Sequence, residues 1–282
     1  MVNITPPGEG PTADEQGVES KTYNEDDLLD GILKNGEAAG WSKEQVLDVL
    51  MAFDFAKHLH AGRRHRKQPY VYHVLRNASR ILNRLNISDP ELIVAELLHD
   101  SVEDHAALIL EVDAEGFDPA ELQEQALILM DETFSVREAK IIRGMTNPVE
   151  PPYEDGLSEA KKEERSLKVY VEHMRDAIKD IDVWICKFVD WVDNGVNLHK
   201  AEKDVTSGRL IYLARRYLLA LDALEERFEG PDIQQFLDED AKKYVREMFM
   251  LGRERLTKIL HESAKNLGSV AVTNTQEPPM SV

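Results

Sequence analysis

Apolar positions recur at helical spacing through most of the chain. Val46, Leu47, Val49, Leu50, Phe53 and Ala56 repeat every three or four residues, with Ser42 placed as an N-cap and Glu44 in the first turn. Asp89 followed by Pro90 marks another start. The run Leu92, Ile93, Ala95, Leu97, Leu98 behind it predicts a helix that carries His99 and Asp100 toward its C-terminal end. Helical periodicity returns over 119–131, 135–145, 158–177, 180–198, 206–228 and 232–262. In the stretch 180–198, Trp184, Ile185 and Phe188 read as core, and Cys186 as inert packing. Residues 146–156, with Pro148, Pro151, Pro152 and Gly156, form the one clear internal loop. No alternating pattern marks a strand and no segment repeats, so the expected fold is an all-α helical bundle.

The two ends read differently. Residues 1–28 hold Pro6, Pro7, Gly8, Gly10 and Pro11, then Asp14, Glu15 and Glu19, which describes a disordered acidic tail. Residues 267–282 read as a second disordered tail, leaving 29–266 as a single helical domain with a C-terminal helical extension. Hydrophobic residues at 42% and charged residues at 31% describe a soluble globular chain. No run approaches the roughly 18 apolar residues of a spanning helix, which argues against a membrane protein. A single cysteine forms no internal disulfide, and the N-terminus has neither a basic start nor an apolar stretch of signal type. Cytoplasmic residence is the expectation.

Charge sharpens the picture. The formal net charge is -19, which repels nucleic acid unless basic residues are locally concentrated. They are concentrated: residues 55–88 contain Lys57, Arg63, Arg64, Arg66, Lys67, Arg76, Arg80 and Arg84 with no acid, whereas 89–132 contain fourteen acids and no Lys or Arg. Ordinary pairing of two solvated surfaces would produce such a split. So would a basic pocket for a phosphate-rich small molecule beside an acidic metal site.

Metal-ligand types occur in four places: His73, the pair His99 and Asp100, the pair Glu103 and Asp104, and Asp190 with Asn194. Leu97 and Leu98 bury the chain immediately before His99 and Asp100, and polar groups at such a place require partners or a metal. On a continuous helix Glu103 stacks over His99 and Asp104 over Asp100. Imidazole and carboxylate ligands with open water positions suit manganese, zinc or iron. Such an ion lowers the pKa of bound water, and a nearby carboxylate can orient or deprotonate that water. His58, His60 and His65 offer a second metal site as one reading; mixed with arginines, they are read here as solvent-facing or phosphate-facing.

These residues carry a family resemblance. His60, Ala61 and Gly62, the arginine-rich run, then Pro69, Tyr70 and His73, followed by L-L-H-D-S-V-E-D at 97–104, resemble the HD-type hydrolase domain of the RelA/SpoT alarmone enzymes. Phe134, Val136, Gly144 and Thr146 are similar to that family's F…V…G-x-T segment. D-I-D-V-W-I-C-K-F-V-D-W-V-D-N at 180–194 is similar to its D-I-R-V-I-L-I-K-L-A-D-R-x-H-N helix. The matches span about residues 47–200. The resemblance implies an all-α HD-domain phosphohydrolase bundle with one metal, usually Mn2+, on His73, His99, Asp100 and Asp190. It implies that Glu103 and Asp104 activate or position the attacking water and that Asn194 contacts the nucleotide. The implied reaction is hydrolysis of guanosine 3',5'-bis(diphosphate), with pppGpp or adenosine analogues as further substrates, releasing pyrophosphate from the 3' position. Arg63, Arg64, Arg66 and Lys67 then form the basic wall that admits the substrate.

Three departures qualify what is carried over. The stretch between Gly62 and Pro69 is one residue shorter than the family pattern and lacks its glycine; Arg64 with Lys67 are the chosen phosphate contacts. Trp191 and Asp193 replace the customary Arg and His beside Asp190, which bears on base specificity. The chain after residue 200 is too short for synthetase and regulatory domains, so a stand-alone small alarmone hydrolase is expected, with residues 206–262 able to cover the domain or build a homo-oligomer. Two alternatives stand beside it: an HD-type phosphohydrolase acting on another nucleotide, and a nucleotide-binding or antitoxin-like protein countering a toxic alarmone synthetase.

Overall fold

The computed structural model describes residues 24–65, 68–150, 152–153, 156–200 and 207–273, without the side chains of 207 and 264–273. Arg66 and Lys67 lie outside the described residues, as do 1–23, 201–206 and 274–282.

Helices start where short polar side chains satisfy free backbone N–H groups. Asn24 and Asp27 close a capping box on α1 (Glu25–Ala38), and Ser42 and Gln45 close one on α2 (Lys43–Leu59). A hairpin of two-residue strands, β1 (Arg64–His65) and β2 (Gln68–Pro69), leads into α3 (Val71–Asn83). Asp89 accepts from the Glu91 and Leu92 N–H groups to open α4 (Pro90–Leu98), followed by α5 (Ser101–Ile109). Then come α6 (Pro119–Thr133), α7 (Val136–Met145) with a Ser135–Glu138 box, and α8 (Glu159–Ala177) capped by Ser158. Asp180 caps α9 (Ile181–Trp191), which passes into a π turn (Val192–Val196) and a 3-10 turn (Leu198–Lys200). The chain continues through α10 (Ser207–Phe228), α11 (Pro231–Phe236) and α12 (Glu239–Thr273).

The architecture is all-α apart from the small hairpin. Helix α4 is buried from Leu92 to Leu98 and packs against α2, α3 and α7; α3 packs against α1, α4 and α9; α10 packs against α8 and α12. The Trp184 ring stacks on Phe188 and Phe228, and Phe249 of α12 closes edge-on over Phe188, Trp191 and Phe228. Trp184, Ile185, Cys186 and Phe188 are all fully buried. Among the described residues no helix is long and apolar enough to cross a membrane.

Several expected boundaries move. Residues 25–28, read as tail, are the first turn of α1, because the capping box fixes it and Leu28 is buried in the core. Helix α12 runs to Thr273, past the expected end at 266. The stretch 232–262 divides at Leu237 and Asp238, and 180–198 leaves α geometry after Trp191. The helix expected to carry His99 and Asp100 stops at Leu98, and Asp100 serves as the N-cap position of α5. Glu103 therefore does not stack over His99 on one helix. The Asp100–Asp104 turn survives, with the Asp104 N–H donating to the Asp100 carbonyl at 3.0 Å.

Candidate metal centre

His73 enters from the first turns of α3, His99 and Asp100 from the junction of α4 and α5, and Asp190 from the last turn of α9. Their ligand atoms converge. His73 Nε2 lies 3.1 Å from Asp190 Oδ1 and 3.8 Å from Asp100 Oδ2; His99 Nε2 lies 3.0 Å from Asp100 Oδ2 and 3.6 Å from Asp190 Oδ1. Both rings are 1% exposed, whereas the carboxylates are 21% and 25% exposed, so the cluster is sealed by the imidazoles and open on the carboxylate side.

Each ring is held from behind. His99 Nδ1 lies 2.8 Å from the Glu96 carbonyl oxygen, a contact that the Nδ1–H makes as donor, and His73 Nδ1 lies 2.8 Å from Asp193 Oδ2. His99 Nε2 is buried and has no hydrogen-bond partner: the nearby Asp100 oxygen lacks the alignment of a hydrogen bond. An orphaned imidazole nitrogen facing two carboxylates and a second imidazole fits a divalent cation. The Tyr70 hydroxyl donates to Asp100 Oδ2 and fixes that carboxylate.

The electrostatics point the same way. Burial opposes charge on Asp100 and Asp190, yet the neighbouring His99 and His73 rings hold both carboxyls well below their ordinary range. Burial likewise opposes the imidazolium forms, and the Asp190 and Asp193 carboxylates raise His73 while Asp100 and Glu96 raise His99. Carboxylates and rings thus stabilise one another's charges, and a cation bound between them would take over that role for the carboxylates.

Glu103 and Asp104 flank this cluster. Glu103 accepts from the Asn147 backbone N–H at 3.1 Å and from Asn147 Nδ2 at 2.7 Å. Crowding by surrounding protein and the Asp100 charge raise its carboxyl, although much of its surface stays open to solvent. Asp104 pairs with Arg63, whose guanidinium also lies over the Tyr70 ring, 4.6 Å from its centroid. Partial burial and the Asp100 charge lift Asp104 to about 6, against the pull of Arg63. Asn194 Nδ2 donates to Asp190 Oδ1 at 2.7 Å. Arg64 lies exposed on β1.

The remaining histidines correct one expectation. His60 does not face solvent: it is buried, stacked on Tyr70, and its Nδ1 lies 2.8 Å from His105 Nε2. Asp104 is near enough to complete a three-ligand group with this pair; the ring-to-ring contact engages His60 Nδ1 and Arg63 holds the carboxylate, while His60 Nε2 is buried without a hydrogen-bond partner. His65 lies half-buried, 3.5 Å from Asp193, and His58 is exposed.

Sequence reasoning missed five contributors. Tyr70, Glu96, Asn147, Lys187 and Asp193 all touch or surround the cluster. Burial lifts the Glu96 carboxyl to about 7, against the pull of the His99 ring 3.4 Å away. The Lys187 ammonium is buried and donates to the Met145 carbonyl at 2.6 Å. Tyr70 and Lys187 belonged to the matched motifs and could have been found there, Asp193 stood out only as a departure from its motif, and Glu96 and Asn147 carried no local signal. Trp191 and Asp193 do not lie on an open nucleotide-facing surface. Both are buried, the Trp191 Nε1–H donating to the Tyr217 carbonyl and Asp193 standing behind His73.

Among solved structures, the chain is similar to that of a metazoan ortholog of SpoT, described as hydrolysing ppGpp and playing a role in starvation responses. The TM-score is 0.49 and the identity 18%, over 74% of this chain and 95% of that one. No family model and no curated protein matches the chain.

Proposed function

We propose that this chain is a divalent-metal-dependent phosphohydrolase that releases pyrophosphate from the 3' position of guanosine 3',5'-bis(diphosphate). One observation carries the reading: His99 Nε2, buried and without a hydrogen-bond partner, shares a pocket open on its carboxylate side with His73 Nε2, Asp100 and Asp190. The ordered motifs of the RelA/SpoT resemblance supply the substrate.

His73, His99, Asp100 and Asp190 would hold the ion, with Mn2+ the first candidate. When bound, such an ion makes water a nucleophile near neutrality by lowering its pKa. Asp104, poised at about 6, is matched to take a proton from water at physiological pH, and Glu103, held by Asn147, orients it. Arg63 and Arg64 supply positive charge for the diphosphate, which an acidic chain repels elsewhere. Tyr70 keeps Asp100 turned toward the centre.

The test is chromatography of products after incubation with guanosine 3',5'-bis(diphosphate) and Mn2+. Conversion to GDP and pyrophosphate is expected, abolished by a chelator and by Asp100→Ala. Asp104→Asn should retain bound Mn2+ while losing roughly 10²–10⁴ in turnover, the usual share of a general base. Failure of the wild type to convert this substrate, or conversion that survives Asp100→Ala, overturns the reading.

A further inference from the structure

Asp193 is completely buried in the π turn that follows α9, and four side chains converge on its carboxylate. Arg76 binds it with two parallel bonds, Nε to Oδ1 and Nη2 to Oδ2, each 2.8 Å. Arg80 Nη2 lies 3.1 Å from Oδ1, and His65 Nε2 3.5 Å from Oδ2. His73 Nδ1 takes the remaining close approach, 2.8 Å from Oδ2. A carboxylate offers about four lone-pair sites, and here three are used by guanidinium groups. The Arg76 fork fixes the plane of the carboxylate, which leaves one defined direction for the His73 ring.

That ring has two ends with different tasks. Nε2 faces Asp190, Asp100 and His99, while Nδ1 faces Asp193. An acceptor-only carboxylate at Nδ1 demands the proton there, and in a neutral ring this leaves the lone pair on Nε2. Asp190 and Asp193, three positions apart, thus address the two nitrogens of one imidazole.

We propose that Asp193 is a positioning residue for divalent-metal binding: clamped by Arg76 and Arg80, it commits the His73 proton to Nδ1 and thereby dedicates Nε2 to the ion. This rests on the metal-centre reading above and adds to it a role for a position at which the resembled family has histidine. Arg76 and Arg80 join the same unit, which gives the basic stretch 55–88 an internal task in addition to any contact with substrate.

Two measurements on the full-length protein test it. Titration calorimetry with Mn2+ should show Asp193→Asn binding about 10- to 100-fold more weakly than wild type, the usual cost of losing the hydrogen-bond partner of a ligating histidine. Circular dichroism and a thermal melt accompany the titration to show that the variant is folded. Affinity within threefold of wild type in a folded variant overturns the proposal. Should the variant fail to fold, the wild type decides: ¹⁵N long-range correlation spectra of metal-free protein, followed upward in pH until the His73 ring shows one protonated and one bare nitrogen, should show the proton on Nδ1. A proton on Nε2 overturns the proposal. A wild type that binds no divalent ion defeats the phosphohydrolase reading and the metal role of Asp193 with it, whereas equal binding by wild type and Asp193→Asn defeats the positioning role alone.

Discussion

His173, on α8, is not among the proposed metal ligands and reports what burial beside a lysine does to an imidazole. Its surroundings, and secondarily the Lys187 ammonium, lower its pKa to about 4, and its Nε2 is buried without a partner. In the unfolded chain the ring titrates near 6.5. Between those two values the unfolded state binds the proton and the native state does not, so native stability falls as pH drops through 6.5 toward 4. Urea denaturation at pH 7 and pH 4.5 should show a smaller loss of midpoint in His173→Leu than in wild type; an equal loss would show that the ring does not contribute. Side chains of this kind also mark the limit of reading from sequence. His73, His99, Asp100 and Asp190 were legible because their residue types sit in short matched motifs, and the structure brings their ligand atoms together. Asp193 was legible only as an oddity, since its partners Arg76 and Arg80 lie more than a hundred positions away and two arginines in a basic stretch look like solvated surface. His60 and His105 belong to the same class, joined across 45 positions by a ring-to-ring contact.

Helix starts were readable where the cap is local. Ser42, Asp89 and Ser158 stand where caps form, and α2, α4 and α8 begin behind them. Helix α3 went unread because it begins at Val71 behind Tyr70, which provides no side-chain cap, and behind a proline and a hairpin, and because it buries Arg80 among its apolar residues. The end of α4 at Leu98 also lacked a local sign, since neither Gly nor Pro interrupts L-L-H-D-S. At the other end of the site, α12 approaches α9 so closely that a Cβ on Gly252 would stand 2.4 Å from the Trp191 ring. That ring is fixed in place by its bond to the Tyr217 carbonyl and by Phe249. Gly252→Ala must push α12 outward or rotate Trp191, and overpacking of this kind costs about 1–3 kcal/mol. Chemical denaturation measures it; a variant as stable as wild type would mean that α12 does not hold α9 against the core.

The cluster joins α3 and the α4–α5 junction to α9 far downstream, so an ion bound there would act as a cross-link of the native state alone. Binding to the native chain stabilises it by about 2.7 kcal/mol when the free ion is a hundredfold above its Kd. For a chain of this size that corresponds to a rise in Tm on the order of 5–10 °C. Thermal melts with Mn2+ and with EDTA should differ by that amount in wild type and coincide in Asp100→Ala. A wild type indifferent to both would exclude tight ion binding. The order in which synthesis delivers the ligands adds a consequence in time. His73, His99 and Asp100 emerge from the ribosome close together, but α5, α6, α7 and α8 must follow before α9 brings Asp190 and the π turn brings Asp193. A nascent chain halted before α9 holds two histidines and one carboxylate but lacks Asp190 at Nε2 and Asp193 at Nδ1 of His73. On the proposed metal-centre reading, capture of the ion would therefore be a late event in the life of each molecule, and a truncated product would hold three of the four proposed ligands and no centre.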